Sequence, residues 1–179
     1  YEEPSAIQQQ SIPIIMAGHD MIGQAQTGTG KTAAFALPIL HRIDPAKREP
    51  QALILAPTRE LALQVATAFE TYAKQMPGVT VVAVYGGAPM GPQLKAIRNG
   101  AQIVVATPGR LCDHLRRDEK VLATVNHLVL DEADEMLKLG FMDDLEVIFK
   151  ALPATRQTVL FSATLPQSIR AIAERHLRD

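Results

Sequence analysis

The sequence predicts an α/β fold in which a mostly parallel central sheet carries helices on both faces. Short β-branched runs alternate along the chain with segments of helical periodicity, a rhythm typical of parallel strands joined by crossover helices. Two strand–helix junctions, at 20–32 and 128–134, also carry glycines or clustered charges. Because ligands of open α/β sheets bind at the carboxyl ends of the strands, these two junctions are the first candidates for a functional site.

The order of the predicted elements supports one domain over residues 1–179. With 179 residues, of which 47% are hydrophobic, the chain is long enough for one well-buried core and short for two. The predicted strands are Met21–Gln24, Leu53–Ala56, Val79–Tyr85, Ile103–Ala106, Leu128–Leu130 and Thr158–Ser162. The predicted helices are Ile7–Ala17, Lys31–Arg42, Glu60–Gln75, Met90–Asn99, Gly109–Arg116, Glu135–Leu139, Phe141–Ala151 and Pro166–Leu177. Each crossover between parallel strands is expected to be right-handed.

Composition excludes several classes of protein. The formal net charge is −1, so any contact with nucleic acid must be local, because a general basic surplus is absent. Aromatic residues make up 4% with no Trp, which disfavours extended base stacking. The single Cys112 excludes an internal disulfide, is expected to be a buried helix residue, and favours a reducing cytoplasm. No apolar stretch approaches the ~20 residues of a membrane helix, so no membrane contact is expected.

The first junction has the composition of a phosphate-binding loop. Glycines permit left-handed backbone and close approach of an anion, and the N–H groups of the loop and of the following helix then face a polyphosphate. A lysine and a threonine at its end supply a cation for the outer phosphates and a hydroxyl for Mg²⁺. The lysine is expected to face solvent. A chance hairpin or helix entry is the alternative. The residues of this candidate loop are Ala25, Gln26, Thr27, Gly28, Thr29, Gly30, Lys31 and Thr32.

The second junction is the buried-strand pattern Leu128–Leu130, which stops abruptly at the carboxylates Asp131, Glu132 and Asp134. At the carboxyl end of a parallel strand, Asp131 falls where the Mg²⁺ of a bound nucleotide would lie, and Glu132 could polarise the attacking water. The alternative is a helix N-terminus whose acidic residues complement the helix dipole. Combined with Lys31 and Thr32, the nucleotide-site interpretation is favoured.

The motifs at the two junctions resemble those of a known protein family. Asp131-Glu132-Ala133-Asp134 and the Ala-x-x-Gly-x-Gly-Lys-Thr loop are similar to those of DEAD-box RNA helicases, in which Ala at the first loop position is ordinary. Further matches follow in the family's order and cover essentially the whole chain: Pro4-Ser5-Ala6-Ile7-Gln8, Pro57-Thr58-Arg59-Glu60-Leu61, Gly86-Gly87, Thr107-Pro108-Gly109-Arg110 and Ser162-Ala163-Thr164. The resemblance implies a RecA-like P-loop NTPase domain of an ATP-dependent RNA helicase, and the loop sequences suggest a bacterial source.

The resemblance also implies roles at the nucleotide site. Gln8 would recognise adenine, the loop would hold ATP, Thr32 and Asp131 would hold Mg²⁺, and Glu132 would act as general base, with Lys31 on the phosphates. A second RecA-like domain of the same full-length chain would lie outside these 179 residues and contribute arginine fingers. The isolated domain is therefore expected to be a monomer that binds nucleotide but is nearly inactive and does not unwind RNA.

Three further loops are predicted at the same sheet edge. Each offers backbone N–H groups, hydroxyls or arginines to a phosphate. From the residues alone, helix capping by Thr58 with Glu60 as a first-turn acid is the favoured explanation of the first loop. The resemblance assigns them to sequence-independent binding of the RNA backbone, and adds Gln93 and Arg98, which a solvated helix face would also explain. The assigned residues are Pro57, Thr58, Arg59, Gly86, Gly87, Thr107, Pro108, Gly109 and Arg110.

By resemblance, Asp134, Ser162, Ala163 and Thr164 couple the nucleotide site to strand separation through hydroxyl bonds to the 131–134 segment; an ordinary cap before Pro166 is the alternative. The five histidines show no evident partner and are expected to be structural or at the surface.

Three other classes of protein compete with the RNA helicase: a nucleotide sensor without hydrolysis, a P-loop kinase and a DNA helicase. Glu132 argues against the sensor and the lack of a long Arg-rich lid against the kinase, whereas only the resemblance disfavours DNA.

Overall fold

The computed structural model describes residues 3–26 and 30–178. Within them lie six strands and eight helices. The strands are β1 (Met21–Gln24), β2 (Ala52–Leu55), β3 (Val81–Val84), β4 (Ile103–Ala106), β5 (His127–Leu130) and β6 (Gln157–Ser162). The helices are α1 (Ala6–Met16), α2 (Lys31–Arg42), α3 (Arg59–Tyr72), α4 (Met90–Arg98), α5 (Pro108–Arg117), α6 (Ala133–Lys138), α7 (Met142–Ala151) and α8 (Gln167–His176). None of the described helices is long and apolar enough to cross a membrane.

The six strands form one sheet in the order β1-β6-β5-β2-β4-β3, and every neighbouring pair is parallel. The predicted α/β class is therefore confirmed. The central strands β2, β4, β5 and β6 are buried along their whole length, as expected for a parallel sheet covered on both faces.

Alternate side chains of each central strand enter two separate cores. In β2, for example, Leu53 and Leu55 pack into a core with α4–α8, whereas Ile54 packs on the other face with α1–α3. On that second face, the rings of Phe69 and Phe161 lie 6.1 Å and 5.9 Å from the ring of Phe35. Burial of these side chains on both faces fixes the strand register, because a one-residue slip would exchange the two faces.

Two elements were predicted to extend two or more residues beyond an observed end. The bounds predicted for the third strand, Val79–Tyr85, are wrong at both ends, because only Val81–Val84 pair with β4. Before this pairing begins, the Thr80 N–H donates to the Gln102 side chain instead of to a neighbouring strand. Helix α3 was predicted to reach Gln75 but ends at Tyr72. The residue before a proline is disfavoured in helix, and Pro77 follows closely, so residues 73–76 form turns instead.

All six strands end at one edge of the sheet, which therefore carries every predicted site loop. In spatial order the edge presents the loops after β1, β6 and β5, followed by those after β2, β4 and β3. The first three are the loops predicted to bind nucleotide or couple to it, and the last three are those predicted to bind RNA. The sheet order thus separates two groups of predicted site loops that alternate along the sequence.

Candidate nucleotide and RNA site

Lys31, the first residue of α2, forms the centre of a buried ionic cluster. Its Nζ lies 2.9 Å from Asp131 Oδ1 and 3.5 Å from Glu132 Oε2. The expectation that Lys31 faces solvent is wrong, because its side chain is only 5% exposed. The carboxyl end of β5 delivers both acids onto the start of α2, so the geometry brings together the cation and the two carboxylates that the sequence singled out.

Asp131 is fully buried, and the Lys31 ammonium, 2.9 Å from Oδ1, and the Glu132 N–H are the donors beside its carboxylate. Burial raises the pKa of Asp131, and the positive charge of Lys31 opposes that rise. A hard cation such as Mg²⁺ prefers oxygen ligands, carboxylates among them. The donor set of Asp131 and the half-buried Thr32 hydroxyl at the first turn of α2 therefore fits Mg²⁺.

Glu132 has a strained backbone. With φ 54° and ψ 54° it is the one non-glycine residue in the described part of the chain with a positive φ. Such a conformation costs roughly 1–3 kcal/mol and persists only where the surroundings impose it, which is common at functional sites. The strain is located where β5 turns into α6, and it leaves the Glu132 side chain 25% exposed beside Lys31.

Gln8 is buried against the end of the phosphate loop. Its Nε2 donates to the Gly30 carbonyl at 3.1 Å, while its Oε1 accepts from the Ser5 N–H in the capping box of α1. Gly30 has φ +82°, and a Cβ there would lie 2.7 Å from Gln8 Nε2, so this packing requires glycine. Gln9 and Gln10 are exposed, as a helix surface predicts. Thr27, Gly28 and Thr29, all predicted to hold phosphate, lie outside the described residues.

Between the loops after β1, β5 and β6 lies a cleft of about 290 Å³. It is lined by Ala25, Gln26, Lys31, Glu132, Asp134, Ala163 and Thr164, all predicted site residues, and by Glu135 and Lys138, which the sequence reasoning missed. The signal for these two was their position on the helix that follows the 131–134 segment.

A larger groove of about 630 Å³ between α5 and α7 contains no predicted site residue. Cys112 on its wall is 3% exposed, and burial raises the pKa of its thiol to about 12. The expectation of a buried helix residue is confirmed, and the thiol is unreactive.

The segment 162–164 joins the two halves of the cleft. The Ser162 carbonyl accepts from Ala25 N–H at the start of the phosphate loop, and the Ala163 carbonyl accepts from Gln24 Nε2. On the other side, Thr164 donates to Asp134 Oδ2 through both Oγ1 (2.9 Å) and its backbone N–H (3.2 Å).

Asp134 is stabilised as the carboxylate by these contacts. Burial raises its pKa, but the Thr164 hydroxyl and the N–H groups of Thr164 and Glu135 outweigh burial and lower it. Contact between the 162–164 segment and Asp134 is present, as expected; its coupling role stays a prediction.

Among the predicted RNA-binding residues, Arg59 is exposed and held in place. Its guanidinium carbon lies 5.0 Å from the centre of the Tyr85 ring, a cation–π contact. The neighbouring loop, residues 85–88 and hereafter the diglycine loop, exposes Gly86 and Gly87. Gly87 has φ +86°, which favours glycine. Thr58 accepts from the Leu61 N–H and caps α3, so its hydroxyl has a structural partner, and Pro57 is buried.

The loop after β4 is less accessible than expected. Thr107 and Pro108 are buried and Gly109 is half-buried. Arg110 is 14% exposed and donates to the Ala88 carbonyl at 2.7 Å, so it holds the diglycine loop from beneath.

The two helix residues added by resemblance differ in exposure. A solvated helix face is wrong for Gln93, which is 7% exposed and bonded to Tyr85, because its helix turns that face toward the sheet. Arg98 is exposed.

A parallel sheet in which the phosphate-loop sequence follows the first strand, and Lys31 at its end pairs with Asp131 at the end of β5, is that of a P-loop NTPase domain of RecA-like fold. The DEAD/DEAH box helicase family model matches residues 5–172. The chain therefore belongs to the DEAD/DEAH box helicase family, as the resemblance indicated.

Comparison with similar proteins supports the same family. The chain is 56% identical over all 179 residues to "ATP-dependent RNA helicase DeaD" of Klebsiella pneumoniae and 54% identical to the protein of that name from Mycobacterium tuberculosis, and covers 28% and 32% of their lengths. The crystal structure of a DEAD box protein from the hyperthermophile Methanococcus jannaschii superposes with a TM-score of 0.93 at 41% identity, over 98% of this chain and 48% of that one. The chain thus spans less than a third of the curated relatives it matches.

Proposed function

We propose that this chain is the nucleotide-binding domain of an ATP-dependent RNA helicase, in which ATP binding and hydrolysis drive local unwinding or remodelling of an RNA duplex. One observation carries the proposal: the buried Lys31–Asp131–Glu132 cluster at the phosphate-loop end of a sheet edge whose other end presents the exposed diglycine loop and Arg59. The proposed nucleotide site and the loops proposed to contact the RNA backbone would therefore lie side by side along one edge of the sheet. The RNA helicase names of the relatives support the choice of RNA.

In the proposed mechanism Lys31 changes partner. Without nucleotide its ammonium neutralises Asp131, and the arriving β- and γ-phosphates offer it a stronger anion. Asp131 and Thr32 would hold Mg²⁺, which would neutralise developing charge on the phosphates. The buried Asp131 carboxylate would then exchange the Lys31 ammonium for the metal ion as its partner.

Glu132 would orient and deprotonate the attacking water. Its carboxylate is the more exposed of the two acids, and it lies beside Lys31 at a backbone turn of positive φ. General-base catalysis of this kind contributes typically 10²–10⁴-fold. Gln8 would recognise adenine with the same amide that now contacts Gly30, so adenine selectivity and the shape of the phosphate loop would be linked.

On the RNA side, the diglycine loop and Arg59 would contact phosphates, which carry no base information, so binding would be independent of sequence. Few cations are available there because Arg110 is turned inward, so RNA affinity of this domain alone should be low and salt-dependent. The second RecA-like domain, its arginine fingers, and a cytoplasmic location remain part of the proposal.

The test is ATP hydrolysis by the full-length protein that contains this chain, measured with single-stranded RNA, with DNA of the same sequence, and with neither. Strong stimulation by RNA alone supports the proposal. Equal stimulation by DNA would reassign the substrate, and absence of hydrolysis under all three conditions would refute the enzyme function. Lys31→Ala is the control for contaminating ATPase.

A further inference from the structure

A buried amide lies directly beneath the proposed RNA-binding loop. Gln93 of α4 donates from Nε2 to the Tyr85 carbonyl at 3.0 Å, at the start of the diglycine loop. Its Oε1 lies 3.3 Å from Arg110 Nη1 and 3.4 Å from His114 Nε2, both on α5. One side chain therefore joins the loop to two residues of a different helix. With both ends of its amide engaged and 7% exposure, Gln93 is poorly placed to contact RNA itself.

The donors on α5 determine which way the Gln93 amide points. If the amide were flipped, its oxygen would face the Tyr85 carbonyl and its NH₂ group would face the guanidinium of Arg110. In the orientation present, Oε1 can only accept, so His114 presents Nε2–H to it. Burial, followed by the charge of Arg110, lowers the pKa of His114, in agreement with a neutral ring.

His114 has no other hydrogen-bond partner among the described residues. It is fully buried, and its Nδ1 is unpaired. Arg110, unlike His114, has a second hydrogen-bond acceptor. The same Nη1 that approaches Gln93 also donates to the Ala88 carbonyl at 2.7 Å, at the far end of the diglycine loop. Its Nε lies 3.7 Å from Asp113 Oδ2, too far for a hydrogen bond. Arg110 thus holds the loop, and His114 is the donor dedicated to Gln93.

We propose that His114 is a positioning residue for RNA binding, acting through the Gln93 amide to hold the diglycine loop in the shape that presents its backbone N–H groups to a phosphate. The proposal rests on the proposed function, because it assigns that loop to RNA. Pre-shaping matters there since glycines leave an unsupported loop free to adopt many conformations, and ordering them on binding would weaken affinity.

The experiment separates loss of the donor from loss of the ring. In the full-length protein, His114→Gln keeps an N–H at about the reach of Nε2, whereas His114→Leu keeps bulk without a donor. The matched control is His41→Leu, an exposed histidine on α2, on the opposite face of the sheet. Each variant is examined by TROSY NMR with ¹⁵N-glycine label, for the Gly86 and Gly87 resonances without RNA. Anisotropy then gives its affinity for fluorescein-labelled oligouridine with a non-hydrolysable ATP analogue.

We expect His114→Leu to shift or broaden both glycine resonances and to weaken RNA binding by about 3- to 10-fold, the effect of one lost buried hydrogen bond. The KM for ATP should stay within about twofold of the parent, because the nucleotide half of the edge is untouched. His114→Gln and His41→Leu should resemble the parent. A merely structural role would not give this split between RNA affinity and KM for ATP, or rescue by glutamine.

Unchanged glycine resonances in His114→Leu would overturn the proposal, as would equal losses in His114→Gln and His114→Leu, or shifted resonances with unchanged RNA affinity. If His114→Leu does not fold, His114→Asn replaces it, since asparagine is too short to reach Gln93, and equal behaviour of the Asn and Gln variants would be the contradicting result. If the parent protein binds no RNA, the proposed function fails, while the glycine resonances still decide whether His114 shapes the loop.

Discussion

Replacing Lys31 by Ala should destabilise the nucleotide-free protein as well as abolish ATP binding. Lys31 is 5% exposed and Asp131 is fully buried, so the variant leaves a buried carboxylate without the counter-ion that lies 2.9 Å away. Removing one partner of a buried ion pair typically costs about 3–5 kcal/mol. A domain's total stability is about 5–15 kcal/mol, so the loss would be a large part of it.

The cost should depend on pH in a defined direction. Burial already raises the pKa of Asp131, and the variant removes the Lys31 charge that opposes this rise. A group whose pKa is higher in the folded state favours folding at low pH and loses that contribution as the pH rises through its folded-state pKa. The destabilisation by Lys31→Ala should therefore be largest at neutral pH and shrink on acidification, as Asp131 becomes protonated and neutral.

Urea unfolding of the 179-residue chain without nucleotide measures the free energy directly. The double variant Lys31→Ala with Asp131→Asn is the matched control, because it removes the stranded charge and should recover a substantial part of the stability lost in Lys31→Ala. A single variant as stable as the parent at pH 7, or a double variant no more stable than the single one, would refute the reasoning.

Four further outcomes are expected. Glu132→Gln should keep ATP affinity but lower turnover by ~10²-fold or more; loss of binding as well would make Glu132 a metal-binding or structural residue. Gln8→Ala should weaken ADP selectively in calorimetric titrations against GDP, because adenine matches an amide's donor and acceptor and guanine does not; a retained adenine preference would remove Gln8 from the site. Thr164→Val should lower RNA unwinding more than ATP hydrolysis, and its destabilisation by about 1 kcal/mol at neutral pH should vanish at acidic pH, since the lowered pKa of Asp134 stabilises the fold only while the carboxylate is ionised; equal loss of both activities would contradict a coupling role. The 179-residue chain alone should hydrolyse ATP barely above background and unwind nothing, and unwinding of a short RNA duplex by it would contradict the two-domain mechanism.

Most of the fold was predictable because its signals are local. Apolar runs of strand length that end at Gly, Thr or Asp, separated by helical periodicity, are enough to indicate a parallel α/β sheet. Errors arose where a distant residue decides the end of an element. The Thr80 N–H donates to the Gln102 side chain, so Thr80 is not part of β3. Helix α3 ends in turns that are followed by Pro77.

The site residues were found from motif spacing, but their environments were not. Lys31 was expected in solvent and is buried. Gln93 was expected to contact RNA or to lie on a solvated helix face, and it is instead buried beneath a loop. A helix period reveals which residues share a face, but not which neighbour covers it. Arg110 carries the same charge whether it points to RNA or, as here, to the Ala88 carbonyl.

The sequence alone determined the class of sheet, the loop chemistry and the family, because each depends on residue types at short spacings along the chain. Tertiary structure decided which of those residues are neighbours: the order β1-β6-β5-β2-β4-β3 puts the loops proposed for nucleotide at one end of the edge and the loops proposed for RNA at the other. It also decided the Lys31–Asp131 pair and the Gln93–His114 contact, across 100 and 21 positions of sequence. Such contacts depend on how the helices and strands pack, and burial then sets the charge and hydrogen-bond energies that spacing cannot reveal.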